Sequence, residues 1–336
     1  MSDPSTVLVL GASGGIGGEM ARLLLARGWR VRAMKRGLGV ARREQGGIEW
    51  VEGDALQAAD VMAAAQGCSV IVHAVNPPGY RRWAEWVLPM IDNTIAAAQA
   101  QGATVVLPGT VYNHGPDAFP LIAEDAPQNA HTPKGRIRVE LEQRLASAAQ
   151  AGRMKAIVVR AGDFFGPRAG NNWFSQGMVK PGRAVGTVNT PSAAGVGHQF
   201  AYLPDVARTM VELLDRRDTL PAFAGFHMAG HWDASGTALA EAVQRAVVRR
   251  GGAVPAMRPF PWWLVRLASP FVTTFRELLG MRYLWQQPVR LDNRRLQQQL
   301  GHEPHTPLDE AVEATLVGLG CLPPDGVPMP VQGAHA

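Results

Sequence analysis

The stretch from Thr6 to Gly28 constrains this chain more than any other. TVLVL, a short apolar run rich in β-branched residues, leads directly into GASGGIGG and then EMARLLLARG, so strand, glycine turn and helix follow in that order. Gly11, Gly14 and Gly17 give the spacing G-x-x-G-x-x-G. In such a unit the first glycine permits a tight turn, the second lets backbone approach a pyrophosphate, and the third lets helix and strand pack closely. The helix N-terminus favours the phosphate charge. Ser13, Gly15 and Ile16 belong to the same turn. Residues 11–17 are therefore expected to cradle a dinucleotide.

Further buried strands read at WRVRAMKR (29–36), IEWVEGD (48–54), CSVIVHAV (68–75), TVVLPGTVY (104–112) and MKAIVVRAGDFFG (154–166). Helical intervals separate them at LQAADVMAAAQG, at WVLPMIDNTIAAAQAQG and after Thr132. This alternation predicts an α/β fold: a Rossmann-type, doubly wound parallel sheet with a smaller C-terminal substrate lobe. The expected division is an NAD(P)-binding core over 1–166 and a mainly substrate-binding lobe over 167–336, from which QFAYLPDVARTMVELL (199–214) returns to the core. LDEAVEATLVGLG (308–320) reads as a closing helix.

Composition narrows the class. With 336 residues, 46% hydrophobic and 18% charged, the chain is long enough for one large domain with an appended lobe. The net charge of +5 comes almost wholly from arginine, and the arginines are scattered, so no nucleic-acid partner is expected. Cys68 and Cys321 are far apart and show no ligand spacing, which predicts buried free thiols and no metal site. The N-terminal apolar run is too short for a signal peptide. Arg266, Arg276 and Glu277 interrupt the apolar segment Arg258–Trp285, so no membrane span is expected. The expected setting is cytoplasmic, with a small-molecule substrate as partner, no membrane, and homodimerisation left open.

The end of the second strand bears on the choice of dinucleotide. An acidic residue there would accept hydrogen bonds from a ribose 2′-hydroxyl, whereas an arginine would pair with a 2′-phosphate. Lys35 and Arg36 stand at that point, with no acid before Glu44, so NADP(H) is favoured over NAD(H). Asp54, with Ala55, follows the third strand and is placed to meet an adenine amine or to cap the next helix. His73, Ala74 and Asn76 end the fourth strand, on the expected nicotinamide side.

Taken in register, GASGGIG, EGDAL, GTVYNHGP, VVRAGDFFGP, FAYLPDVA (200–207) and LGHEPHTPLDEAV resemble the extended short-chain dehydrogenase/reductase superfamily, the NAD-dependent epimerase/dehydratase group. The likeness covers most of the chain. It implies hydride transfer at a nicotinamide, a tyrosine acid or base, a lysine that lowers its pKa and holds the ribose, and a Ser or Thr that steadies the substrate oxygen. Thr110 falls at or next to the Ser/Thr position. Aligned by Glu142, Lys134 stands where the tyrosine belongs and Arg138 where the lysine belongs; aligned by Lys134 as the lysine, Ala130 takes the tyrosine position. Neither register supplies a phenol.

In AHTPKGRIRVELE (130–142), Thr132 is placed to cap the helix and Pro133 to open it. At about 100° per residue, Lys134, Ile137, Arg138, Leu141 and Leu145 share one sector, so both cations face the core. A lysine in a first turn opposes the helix dipole by roughly 0.3–1 kcal/mol, which contact with an anionic ligand or an ion pair would offset. If the chain is catalytic, Tyr112 is the first choice of proton donor, with His73, His114 and Lys134 as alternatives.

The resemblance and the residues together predict an NAD(P)H-dependent oxidoreductase reducing a carbonyl or activated C=C on a small, rather apolar substrate. Trp173, Phe174, Phe260, Trp262, Trp263, Phe271 and Trp285 are the candidate apolar wall. Two alternatives stand beside it. One is a catalytically silent dinucleotide sensor, like the nitrogen-metabolite regulators that share this fold. The other is a nucleotide-sugar epimerase or dehydratase, which would need a diphosphate clamp from Arg290, Arg294 and Arg295.

Overall fold

The structure is a computed structural model that describes residues 5–77, 82–193 and 195–324. Its first half runs β1 (Thr6–Leu10), α1 (Gly15–Ala26), β2 (Arg30–Lys35), β3 (Arg42–Gln45), β4 (Ile48–Glu52), α2 (Ala58–Ala65), β5 (Val70–His73), α3 (Trp83–Gln101), β6 (Thr104–Gly109), β7 (Leu121–Ile122), α4 (Pro133–Gln150) and β8 (Lys155–Arg160). The remainder holds β9 (Asp163–Phe165), β10 (Thr187–Thr190), β11 (His198–Tyr202), α5 (Leu203–Asp215), β12 (Phe223–His227), β13 (His231–Asp233), α6 (Ala238–Arg249), β14 (Ala256–Pro259), α7 (Trp262–Ala268), α8 (Thr273–Met281), β15 (Arg290–Leu291), α9 (Arg294–Leu300) and α10 (Leu308–Gly318).

Eight strands form the main sheet in the order β12-β8-β6-β5-β1-β2-β4-β3, all parallel except the edge pair β3·β4. Successive side chains of a strand point to opposite faces, and the core divides accordingly. Val7 and Val9 pack on one side with Met20 and Leu24 of α1, Met210 and Leu214 of α5, and Leu296 of α9. Leu8 and Leu10 pack on the other with Val61 of α2, Ile91 of α3, and Leu141 and Leu145 of α4. A third cluster, around Phe165, Phe174, Val243, Trp285 and Val312, gathers mostly C-terminal residues and takes in Ile122 of β7.

Three expectations change in detail. The strand anticipated over 154–166 is two: β8 stays in the main sheet, and β9 joins β11 and β13 in a separate one. Gly162 makes the step possible, because a Cβ there would lie 2.1 Å from the Gln199 carbonyl oxygen. β11 therefore does not extend the main sheet, although α5 returns to its core; two strands of that sheet are unread in the sequence, the exposed edge strand β3 and β12, whose FAGFH is short and carries a glycine. Finally, α3 begins at Trp83 and continues through Pro89 rather than starting near Trp86. Both cysteines are free and buried. Among the described residues no helix is long and apolar enough to cross a membrane.

Candidate cofactor and active site

Gly11 adopts φ +89°, where only glycine is comfortable, and a Cβ there would sit 2.5 Å from the Ala74 carbonyl oxygen. The turn and the end of β5 are thereby brought into contact, and the Ala74 amide donates to the Leu10 carbonyl (2.9 Å). A Cβ on Gly17 would lie 2.3 Å from the Gly11 oxygen, which is the close helix–strand approach expected of the third glycine. Ser13 and Gly14 are exposed at the lip, and α1 starts without a side-chain cap. Its first amides are therefore left to a ligand or water.

At the other end of the crevice, Arg36 is exposed and only 3.6 Å from the Asp54 carboxylate. Lys35 is exposed beside it. Glu52 is the acid nearest the end of β2 in the sheet, paired with Lys35 across the β2·β4 register. Its carboxylate is committed elsewhere: it accepts from the amides of Gly37 (2.8 Å), Leu38 and Gly39 (3.2 Å). The Gly37 bond chiefly, with the other amides and Lys35, holds it below the usual carboxylate range. Asp54 accepts from the Leu56 amide (3.0 Å) and donates its own amide to Asp60 (2.9 Å), fixing the turn before α2. Ala55 is buried there and its carbonyl accepts from Asn93 (2.9 Å).

The start of α4 packs directly on the segment after β6. Thr132 caps the helix, accepting from the Gly135 amide (3.1 Å), and a Cβ on Gly135 would be 2.3 Å from the Tyr112 carbonyl oxygen. This contact gathers Thr110, Tyr112, Lys134 and Arg138 into one region. As the helical periodicity predicts, both cations are buried, at 6% and 5% exposure. Lys134 pairs with Glu277 of α8 (3.0 Å), and burial pulls its pKa down against that partner. Arg138 donates to Asn76 (2.8 Å), while its buried Nε meets no acceptor among the described residues. The Trp83 ring lies 5.6 Å from the Lys134 ammonium and 5.2 Å from the Arg138 guanidinium, a stacking that favours desolvated cations. Glu277 and Trp83 went unread in the sequence. Both come from helices remote in the chain, and no local pattern marks either.

The candidate proton donors differ in their surroundings. His73 is fully buried, and burial together with Arg138 pushes its pKa down to about 3. Thr94 gives its hydroxyl proton to the Met90 carbonyl (3.1 Å), so His73 donates Nδ1–H to Thr94 (2.8 Å) and is neutral. His114 is likewise held down by burial, with Nδ1 donating to the Pro127 carbonyl (3.2 Å). Thr110 donates to Asn113 (2.8 Å), so its proton is directed inward and its lone pairs outward. From Asn113 a partly buried chain runs through Gln128 (3.4 Å) to Glu142 (3.1 Å), which pairs with Arg160; Arg160 in turn donates to His227 (3.2 Å). Tyr112 lies half-buried between the α4 start and Tyr283, whose own hydroxyl is raised by burial and by Tyr112.

In the lobe, Trp173, Phe260, Trp262 and Trp285 form one aromatic cluster, Trp173 standing 5.0–5.6 Å from the other three. Phe174 is core, stacked on Phe165. Trp263 and Phe271 do not join the wall: they face solvent. The three clamp candidates each have a contact of their own. Arg290 covers the Trp232 ring at 5.2 Å, Arg294 binds Asp292 (2.7 Å) and Arg295 lies near Glu124 (3.9 Å).

The pattern of the NAD-dependent epimerase/dehydratase family matches residues 7–226, well over half of the chain. A Streptomyces protein named 3-diazoavenalumate denitrifying reductase is 30% identical over 231 residues, covering 63% of this chain and 73% of that one. An uncharacterized protein of Sinorhizobium fredii is 28% identical over 181 residues, 48% of this chain; the chain spans about half, 51%, of that relative's length. Among solved structures, UDP-glucose 4-epimerase from Brucella ovis in complex with NAD superposes with a TM-score of 0.69 at 18% identity, over 94% of this chain and 98% of that one.

Proposed function

Because this chain belongs to the NAD-dependent epimerase/dehydratase family, we propose that it is an oxidoreductase that takes NADP(H) in preference to NAD(H) and reduces a carbonyl or activated C=C on a small, rather apolar substrate. In this reading residues 1–166 bind the dinucleotide and residues 167–336 mainly shape the substrate site. The observation that carries it is the pairing of an intact glycine cradle with an exposed Arg36, at a strand end where the acid in register, Glu52, is consumed by loop amides and Asp54 stands 3.6 Å from the guanidinium. The bound dinucleotide would supply the hydride. Gly11 to Gly17 would hold its pyrophosphate, Lys35 and Arg36 the 2′-phosphate, Asp54 and Ala55 the adenine side, and His73, Ala74 and Asn76 the nicotinamide side.

Lys134 and Arg138 occupy the place of the tyrosine–lysine pair, and we assign them to the cofactor ribose and phosphates rather than to proton transfer. Tyr112 is the proton donor of choice. His73 and His114 are held neutral by burial, and the Thr110 proton is already given to Asn113, leaving its oxygen to orient the substrate. A relative named as a reductase favours reduction over epimerisation, as does the engagement of Arg290, Arg294 and Arg295 in contacts of their own. Substrate-dependent loss of NADPH absorbance, across a panel of aldehydes, ketones and enones, tests the proposal. The closed Lys134–Glu277 ion pair, at the helix start where the family resemblance leads one to expect the tyrosine or the lysine, favours one other reading, a silent dinucleotide sensor. Tight NADPH binding with no turnover on that panel would select it.

Two substitutions test the assignments. Arg36→Asp is expected to weaken NADPH binding by about 10- to 100-fold, the worth of a charge-assisted contact, and NADH binding little; equal losses would remove the phosphate assignment. Lys134→Met is expected to lower NADPH affinity or turnover by about tenfold with the thermal midpoint retained. Unchanged binding and kinetics would make the lysine structural only.

A further inference from the structure

Large apolar side chains are hidden almost everywhere in this molecule, and the exceptions are concentrated. Of the nine such side chains exposed among the described residues, five lie between positions 263 and 272: Trp263, Leu264, Leu267, Phe271 and Val272. Leu267 is 67% exposed and Phe271 90%. Trp263 and Leu267 stand one turn apart on α7, so they share a face, and Phe271 projects from the turn that joins α7 to α8. The opposite side of α7 is anchored: Val265 is buried and the Trp262 indole donates to the Pro191 carbonyl (2.9 Å). An apolar strip of this kind marks an interaction surface.

The charge around it selects the partner. From the start of β14 to the end of β15 the chain carries five arginines and a single acid, Glu277, so this stretch supplies +4 of the chain's +5. Arg258, Arg266 and Arg276 are exposed, whereas Glu277 turns inward to Lys134. Two copies meeting through this face would oppose like charges. Exposed Trp, Phe and Leu close together in the chain, in a stretch with three exposed arginines and one acid that is engaged by Lys134, match what an anionic membrane surface receives.

We propose that the α7–α8 hairpin is a docking face for an anionic lipid bilayer, lying flat in the interface with Phe271 leading. The charges that forbid a span across the bilayer are the ones that suit headgroup contact, so docking here departs from the sequence expectation of no membrane partner. The test is flotation of the full chain with vesicles of phosphatidylglycerol and phosphatidylcholine, against vesicles of phosphatidylcholine alone.

Partitioning onto the anionic vesicles is expected to be roughly 10- to 100-fold stronger, from three exposed arginines near the surface, and to weaken with added salt. The double variant Leu267→Asp, Phe271→Asp should lose at least about tenfold of that partitioning with an unchanged thermal midpoint, and Arg258→Glu, Arg266→Glu should erase the preference for anionic lipid. Two results would overturn the proposal: binding that survives the double variant, or no vesicle binding, in which case self-association that the double variant abolishes would assign the face to a second copy.

Discussion

Glu142→Ala is expected to destabilise the protein by about 3–5 kcal/mol, because it strands a buried guanidinium. Glu142 and Arg160 have side chains only 4% and 5% exposed, and their two-pronged contact joins α4 to β8, the strand next to the β12 edge of the sheet. Arg160 also holds His227, and Glu142 holds Gln128. Removing the carboxylate leaves the charge on Arg160 with neutral partners. Urea unfolding followed by far-UV circular dichroism measures the loss as a lower midpoint. A double Glu142→Met, Arg160→Met variant should recover much of it, since apolar replacement of a buried pair is often neutral. A cost below about 1 kcal/mol for the single change, the range of an exposed pair, would show that the pair does not clamp these elements. The site is expected to feel the change too: the chain from Glu142 through Gln128 and Asn113 orients the Thr110 hydroxyl, so turnover should fall even where folded protein persists.

Acidification is the second large effect. His73, His227 and His231 are buried, and burial is the leading reason that their pKa values fall from 6.5 to about 3, about 3 and about 4. Each is neutral in the folded state and takes up a proton on unfolding. Stability is therefore complete above pH 6.5, declines below it, and stops declining only near pH 3–4, where the folded form binds the protons as well. Between pH 7 and pH 5 each histidine should remove about 2 kcal/mol. Urea midpoints measured across that interval should drop steeply. His231→Phe, which keeps an aromatic ring against Phe165, should shallow the slope by up to one proton. A midpoint that does not move between pH 7 and pH 5 would contradict the buried neutral state of all three.

What the sequence made legible follows from where the physics is local. The β1–α1 turn could be read because each glycine answers a backbone demand that no other residue meets. The inward face of α4 could be read because Lys134, Arg138, Leu141 and Leu145 obey one helical period. What stayed hidden depends on contacts between distant segments. β12 is a short FAGFH stretch that becomes a strand only because β8 offers it a partner. The β8-to-β9 switch needs Gln199 to be known before Gly162 acquires meaning. Glu277 and Trp83 join the α4 cations from α8 and α3, and nothing in either neighbourhood signals it. Trp263 and Phe271 showed the opposite difficulty: their apolar character reads as core until the fold turns them outward.

Glu52 has a consequence for how such a protein changes over time. The β2–β3 loop is shaped by the amides of Gly37, Leu38 and Gly39 gripping that one carboxylate, whereas its charge is displayed by Lys35 and Arg36, which are exposed. Form and charge are thus inherited through different side chains. If these two side chains meet the 2′-phosphate as proposed, a lineage could exchange one dinucleotide for the other by drifting at two surface positions, with the loop's scaffold left standing throughout.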